Sequence, residues 1–180
     1  MRLKSIALLA LVVVLMLAIG GSALAVPLVN MPATHAGATV NVINNHPGLL
    51  AAVLDVYPGF YAQGYQQRFG TAFPGAIIVY VGWVGKQYTQ HVAHEWCHEI
   101  MLACDAPGGY GSLSAAWRDF IATSWPQVDT SRWSPATYSH TLMEAIRRAF
   151  WYPFYADAEY RLYADRAQIT AILQSCGVNP

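Results

Sequence analysis

Two histidines and a glutamate lie within five consecutive residues near the middle of this 180-residue chain: His94, Glu95 and His98, in the order His-Glu-Trp-Cys-His. On an α-helix successive residues turn by about 100°, so His94 and His98 lie one turn apart on the same side, with Glu95 beside them. Two neutral imidazoles on one face suit Zn²⁺, which lowers the pKa of a bound water towards neutrality. The Glu95 carboxylate is then placed to accept a proton from that water. The spacing therefore predicts a hydrolytic zinc site rather than a chance pair of histidines.

The elements around this motif must hold the imidazoles next to a substrate. Residues 75–83 are β-branched and aromatic and are bounded by Pro-Gly and Gly, which predicts a strand. The motif lies in a predicted helix over residues 89–103, with apolar residues on both sides that can be buried. A strand followed by an HExxH helix resembles the zincin metallopeptidases, and the resemblance covers roughly residues 75–103. It implies an α+β fold: a small mixed sheet, the active-site helix and C-terminal helices.

A catalytic zinc site needs a third protein ligand, which must come from elsewhere in the chain. Gluzincins take a glutamate from a second helix, and the lethal-factor-like group has a Tyr shortly before a Glu-x-x-x-acid-x-Phe pattern. Tyr138 and residues 144–150 are similar to this pattern, except that Arg148 replaces the second acidic residue. The similarity implies that Glu144 is the third ligand and that the Tyr138 phenol stabilises the oxyanion. The open alternatives for the ligand are Glu159, Asp157 and His140.

Other interpretations of this region fit less well or stay open. A metzincin would require Gly and His where this chain has Met101 and Cys104, and an SprT-like site would require His in place of Tyr110. Asp105, the ligand an aspzincin would use, does not have the required spacing. Glu144 itself has a simpler interpretation, as an i,i+4 partner of Arg148 on a solvated helix face.

The predictions for the other residues in and near the motif are less specific. Trp96 falls almost opposite the ligand face and is expected in the core. Cys97 lies to the side and is not expected to act as a nucleophile. Glu99 is expected to be an exposed carboxylate, with a contact to His98 as the alternative. His140 is a second candidate for stabilising an oxyanion.

The rest of the chain predicts short elements around this centre. Residues 38–43 alternate and predict a short strand, and residues 48–56 predict a helix. Further helices are predicted from a Ser112 or Ser114 cap through Ala122, over residues 135–151 with Ser134 as the N-cap, and over about residues 155–174.

The N-terminus has the pattern of a secretory signal peptide. Residues 1–25 begin with Arg2 and Lys4, continue with an apolar run and end in Ala-Leu-Ala. Cleavage there leaves residues 26–180 as a single metallopeptidase domain that is secreted or faces the cell envelope. Contact with a membrane is expected only if the apolar segment is retained.

Charge and cysteine content narrow the class further. Ten basic and ten acidic residues balance, and Lys and Arg do not cluster, so the chain has no electrostatic footprint for nucleic acid. In an oxidising compartment, three cysteines predict one disulfide and one free thiol. Cys97 and Cys104 would lie about 10 Å apart along one helix, too far for a disulfide, so Cys176 is expected to pair with one of them.

Together these features predict a secreted zinc metallopeptidase that acts on a peptide or protein substrate with Glu95 as the general base. The edge of the predicted strand would bind an extended peptide by β-addition. The alternative is a non-catalytic secreted or envelope-anchored binding domain, in which the metal is structural or absent. The sequence does not indicate an oligomeric state.

Overall fold

A four-stranded mixed sheet forms one layer of the structure, a computed structural model that describes residues 26–151 and 164–180. The strand order is β1-β2-β4-β3; the first three strands in this order are parallel, and β3 pairs antiparallel with β4, with Ala72 opposite Ile77. The predicted strand over residues 75–83 is confirmed as β4. The strands are β1 (Leu28–Val29), β2 (Tyr61–Tyr65), β3 (Thr71–Phe73) and β4 (Ala76–Tyr80).

Six helices within the described ranges complete an α+β domain, as the sequence predicts. The longest of them, α3, packs against β3, β4 and the four helices α1, α2, α4 and α5, so it is the centre of the fold. The helices are α1 (Ala33–Asn44), α2 (Pro47–Val56), α3 (Gly85–Asp105), α4 (Leu113–Ser124), α5 (Pro135–Phe150) and α6 (Arg166–Ser175).

The core lies between one face of the sheet and α3. Val92, Trp96 and Ile100 follow one another at four-residue intervals along α3, and all three are fully buried. Trp96 packs against Phe60, with 5.0 Å between the ring centroids, so its expected place in the core is confirmed. Burying side chains of this size stabilises the fold by about 1.5–3 kcal/mol each. This packing fixes the orientation of α3, and with it the direction in which the motif points.

Helix ends follow the sequence signals where a side chain can cap them. The Ser112 hydroxyl accepts a hydrogen bond from the Ala115 N–H at 3.1 Å, and the Ser134 hydroxyl accepts one from the Thr137 N–H at 3.1 Å. The predicted helices that begin at these caps are confirmed as α4 and α5, and the predicted helix over residues 48–56 as α2.

The predicted strand over residues 38–43 is wrong, because this segment belongs to α1. His35, Thr39, Val42 and Ile43 are the buried residues of α1, and their spacing is that of one helical face. Burial along this face outweighs the strand preference of the β-branched residues.

Two other helices have different starting points from those predicted. The motif helix begins at Gly85 rather than near residue 89, since Tyr88 is already buried against α1, where its hydroxyl lies 2.7 Å from the Thr39 hydroxyl. The last helix begins at Arg166, where Asp165 and Gln168 form a capping box. The part of that prediction over residues 155–163 lies outside the described residues.

Within the described ranges, no helix is both long and apolar enough to cross a membrane. The predicted signal peptide over residues 1–25 lies outside these ranges.

The three cysteines are buried free thiols in this structure, so the disulfide stays a prediction. Burial, together with the nearby Cys176 thiol and the Asp105 carboxylate, raises the pKa of Cys104 to about 12. Cys97 instead has Arg147 and Glu144 of α5 as its charged neighbours. Of the two pairings, the structure favours Cys104 with Cys176.

Candidate metal centre

Three histidines meet where α3 crosses α5. His94 and His98 of α3 and His140 of α5 each place one ligand atom within 4.8 Å of the others. The ring centroids of His94 and His98 are 5.0 Å apart, and that of His140 lies 5.5 Å from His94 and 6.1 Å from His98. Three imidazoles from two helices match the donor set of a catalytic zinc site that keeps a fourth position open.

Glu144 lies behind this group rather than in it. It is one turn beyond His140 on α5, and one carboxylate oxygen lies 3.4 Å from Nδ1 of His94. The other oxygen accepts a hydrogen bond from Nε of Arg147 at 3.1 Å and a second, shorter one from Nη2. A carboxylate that holds Nδ1 of an imidazole leaves Nε2 for a metal. For a metal bound at this cluster, the geometry favours His140, which was among the alternatives, over Glu144, the first choice from sequence.

The charge state of Glu144 suits this supporting position. Burial raises the pKa of Glu144, but the hydrogen bonds from His94 and Arg147 and the Arg147 charge outweigh burial and bring the pKa to about 2. The residue is thus an ionised, buried carboxylate paired with Arg147. The alternative interpretation, pairing with Arg148 on a solvated face, is wrong in both respects. Asp157 and Glu159, the other candidate ligands, lie outside the described residues.

His98, the second histidine of the motif, is uncharged at neutral pH and can therefore bind a metal. Burial and the neighbouring His94 and His140 lower the pKa of His98, Glu144 opposes them with a smaller effect, and the resulting pKa is about 4. The neutral imidazole keeps the lone pair that coordination requires.

Glu95 has the burial and the pKa of a general base. The residue is 5% exposed, and burial raises its pKa to about 7, with a smaller opposing effect from His94. A carboxyl group that titrates near neutral pH both accepts and returns a proton efficiently. Nδ1 of His91 lies 3.6 Å from the Glu95 carboxylate, one helical turn before it. His91 was not among the site residues predicted from sequence, although its i,i+4 spacing to Glu95 is visible there.

The His91 ring is held by packing on several sides. It meets the Trp83 ring edge-on, with 4.8 Å between centroids. Burial lowers the pKa of His91 to about 4, with a further lowering by His94 and an opposing effect of the Phe69 backbone. The side chain is therefore neutral near pH 7, and it can orient Glu95 without changing the charge of the centre.

Gly70 closes the centre from the side of the sheet. A Cβ atom at this position would overlap both the His91 ring and the Glu95 carboxylate, so a larger residue does not fit without moving one of them. The backbone just before β3 thus lies directly against the Glu95 carboxylate.

Two clefts reach the centre, and His94 and Glu95 line both of them. The first, of about 530 Å³, is the strand-side cleft; it is bordered by His98, Thr71, Ala72, Pro74, Met101 and Asp105, among others. The second, of about 430 Å³, is the arginine-side cleft; it is bordered by His140, Arg68, Trp83, Gln87, Gln90 and Arg147, among others. A ligand lying in both clefts would pass over the three histidines and Glu95.

The strand beside the cleft is not the one expected. The substrate-binding edge was predicted at residues 75–83, but β4 is an inner strand between β2 and β3. The edge strand is β3, and its residues Thr71 and Ala72 line the strand-side cleft. Its three residues were too few to give a strand signal of their own.

Tyr138 is directed towards other partners. Its ring lies 5.0 Å from the Trp133 ring, and the Arg118 guanidinium lies over it at 4.8 Å. Ser139 lines the strand-side cleft and His140 the arginine-side cleft, whereas Tyr138 lines neither. The structure therefore gives no support to the oxyanion role implied for Tyr138 by its likeness to the lethal-factor-like group.

Glu99 and Cys97 are both buried beside the motif. Glu99 was expected to be exposed, but it is fully buried and accepts a hydrogen bond from the Gly75 N–H at 2.7 Å, which ties α3 to the β3–β4 turn. Burial raises the pKa of the Cys97 thiol well above its usual range. A neutral, inaccessible thiol agrees with the expectation that Cys97 is not a nucleophile.

No family model, curated protein or solved structure that was compared with the chain matches it.

Proposed function

We propose that this chain is a zinc-dependent peptidase of the zincin type, in which His94, His98 and His140 hold the metal and Glu95 is the general base. The observation that carries the proposal is the set of three imidazole ligand atoms within 4.8 Å beside a buried glutamate that lines two clefts. A closed structural site would have no such access. The clefts therefore favour catalysis over the alternative of a binding domain with a structural metal.

The proposed reaction uses the residues as follows. A zinc ion held by the three histidines would polarise the scissile carbonyl and lower the pKa of the attacking water. Glu95 would accept a proton from that water and pass it to the leaving amine. His91 holds the Glu95 carboxylate from one side, and Glu144 fixes the ring of His94 so that Nε2 faces the metal.

The substrate that fits this geometry is an extended peptide. The free edge of β3 borders the strand-side cleft, and an extended chain can pair with such an edge by β-addition. A second strand laid antiparallel to β3 would run from the Pro74 end of the strand towards Gly70, and so towards Glu95 and the arginine-side cleft.

The proposal includes the location inferred from sequence. Residues 1–25, in which an apolar run is followed by the small-residue site Ala-Leu-Ala, support export, either to the medium or to the cell envelope. N-terminal sequencing of the mature protein tests this part separately. A chain that begins at residue 26 is expected.

The decisive experiment measures zinc stoichiometry and peptide hydrolysis together. We expect one zinc per wild-type chain, and we expect Glu95→Gln to keep the zinc and lose turnover, because the amide cannot accept the proton. Asp119→Asn, which neutralises an exposed carboxylate on α4, is the matched control and should keep both properties. A wild-type protein without stoichiometric zinc, or a Glu95→Gln protein with full activity, would exclude the proposal.

A further inference from the structure

We infer that Arg68 makes the arginine-side cleft a binding site for a carboxylate of the substrate. The peptides that this chain cleaves would then carry an acidic side chain or a free terminal carboxylate on the C-terminal side of the scissile bond. This inference rests on the proposed peptidase function and adds the substrate class to it.

The position of Arg68 places its charge next to the reacting centre. Gly70 lies against Glu95. Arg68 is only two residues before Gly70, so the Cα atoms of Arg68 and Gly70 are at most about 7 Å apart. The Arg68 side chain is exposed and lines the same cleft as His94 and Glu95. Its guanidinium lies over the Trp83 ring, 5.5 Å from the ring centroid. This cation–π contact holds the charge at the cleft and reduces the conformational entropy lost on binding.

The charges of the two clefts differ in sign. In the arginine-side cleft, Arg147 is already paired with the Glu144 carboxylate. Arg68 forms no ion pair with an acidic group among residues 26–151 and 164–180. The strand-side cleft contains Asp105 and no lysine or arginine among its lining residues. A peptide across both clefts is therefore attracted with its negative end towards Arg68.

The direction of strand pairing places this negative end on one side of the scissile bond. Antiparallel pairing with β3 runs the substrate from Pro74 towards Gly70, so the part in the arginine-side cleft is C-terminal to the centre. Antiparallel pairs are somewhat more stable per residue than parallel ones. A guanidinium can also bind a carboxylate through two parallel hydrogen bonds, which an amide or ammonium cannot reproduce.

The test uses four malonyl hydroxamates, which anchor to zinc and extend only in the C-terminal direction. They carry Asn-Asn amide as the neutral reference, Asp-Asn amide, Asn-Asp amide, and Asn-Asn with a free terminal carboxylate. Their Kd values are measured by calorimetry on the zinc-loaded wild type, Arg68→Gln and Arg166→Gln. Arg166 is the matched control, since its exposed guanidinium also lies over an aromatic ring, that of Phe150, but borders neither cleft.

We expect at least one carboxylate ligand to bind the wild type and Arg166→Gln about tenfold more tightly than the reference, as a charge-assisted bond at a partly open site allows. Arg68→Gln should lose this advantage, and the preferred ligand identifies the carboxylate as a side chain or a terminus. Equal Kd values for all four ligands, or an advantage that persists in Arg68→Gln, would overturn the inference. If peptides are hydrolysed without any carboxylate preference, only the inference fails; if no zinc binds, the proposed function fails with it.

Discussion

Replacing His140 and Glu144 one at a time tests which residue is a metal ligand and which one orients a ligand. His140→Ala removes one of the three clustered imidazoles, whereas Glu144→Gln keeps the shape of the side chain and removes the charge beside His94. Glu144 is the ligand preferred from sequence, and the structure favours His140. The two assignments predict opposite orders of zinc affinity.

The size of the two effects follows from the role of each side chain. Structural zinc sites with four ligands bind with about 10–16 kcal/mol, so one ligand corresponds to about 2.5–4 kcal/mol. At about 1.4 kcal/mol per tenfold change, His140→Ala should weaken zinc binding by about 10²- to 10³-fold. Loss of an outer partner typically weakens affinity by about 10- to 100-fold, so Glu144→Gln should have the smaller effect.

The assay is competition for zinc with a chromophoric chelator at one pH. His46→Ala serves as the control for losing an imidazole, because His46 lies away from the centre, against Phe150 and Trp151. Thermal unfolding of each metal-free variant checks that the fold is intact, since Glu144→Gln also removes the counter-charge of the buried Arg147. A larger loss of affinity in Glu144→Gln than in His140→Ala would refute the assignment of His140.

Three further predictions follow from the surroundings of the site. Gly70→Ala should keep zinc and lose more than about tenfold in turnover, because its Cβ displaces the general base by a distance at which positioning matters. Under oxidising conditions Cys104 and Cys176 should form the single disulfide, which mass spectrometry of a non-reduced digest would locate. Glu99, whose folded-state pKa is raised by burial from 4.5 to about 8, should make the metal-free protein less stable as pH rises through that interval. The slope from this one group is at most about 1.4 kcal/mol per pH unit, and Glu99→Gln should remove it.

Each of these three predictions has a result that contradicts it. Gly59→Ala, at a position with open space, is the control for the glycine variant, and equal activity of the two alanine variants would show that the contact is unimportant. A disulfide that contains Cys97 would contradict the pairing. For Glu99, the free energy of unfolding is measured by urea denaturation at several pH values. The same pH dependence in wild type and Glu99→Gln would show that this buried acid is not the cause.

The sequence predicts an element well where one local pattern determines it. β4 has β-branched residues between turn signals, and α5 has a serine cap followed by proline; both appear where expected. α1 was missed because Val40, Val42 and Ile43 favour a strand locally, while their helical face is buried only after α3 packs on it. The edge strand β3 was missed because it exists only through pairing with β4.

The residues of the candidate site can likewise be predicted from sequence only where one local pattern determines them. His94, Glu95 and His98 share one helical turn, so their common face follows from helix geometry alone. The third ligand depends on how α5 crosses α3, which no local pattern encodes. A signal was nonetheless present, because His140 and Glu144 are four residues apart and lie on one face of the predicted helix, so both could have been placed at the site together.

The centre combines two helices that each carry an imidazole and a carboxylate at i,i+4: His91 with Glu95 on α3, and His140 with Glu144 on α5. On α3 the His91 ring lies beside the Glu95 carboxylate, and on α5 the Glu144 carboxylate contacts His94 of the other helix. The contacts between α3 and α5 at this centre therefore all depend on how these two helices cross. Zinc that binds only the folded chain would strengthen that crossing in turn, raising the free energy of unfolding by about 2.7 kcal/mol at a hundredfold excess over Kd. Zinc affinity and the free energy of unfolding should therefore both change when the packing of α3 against α5 changes.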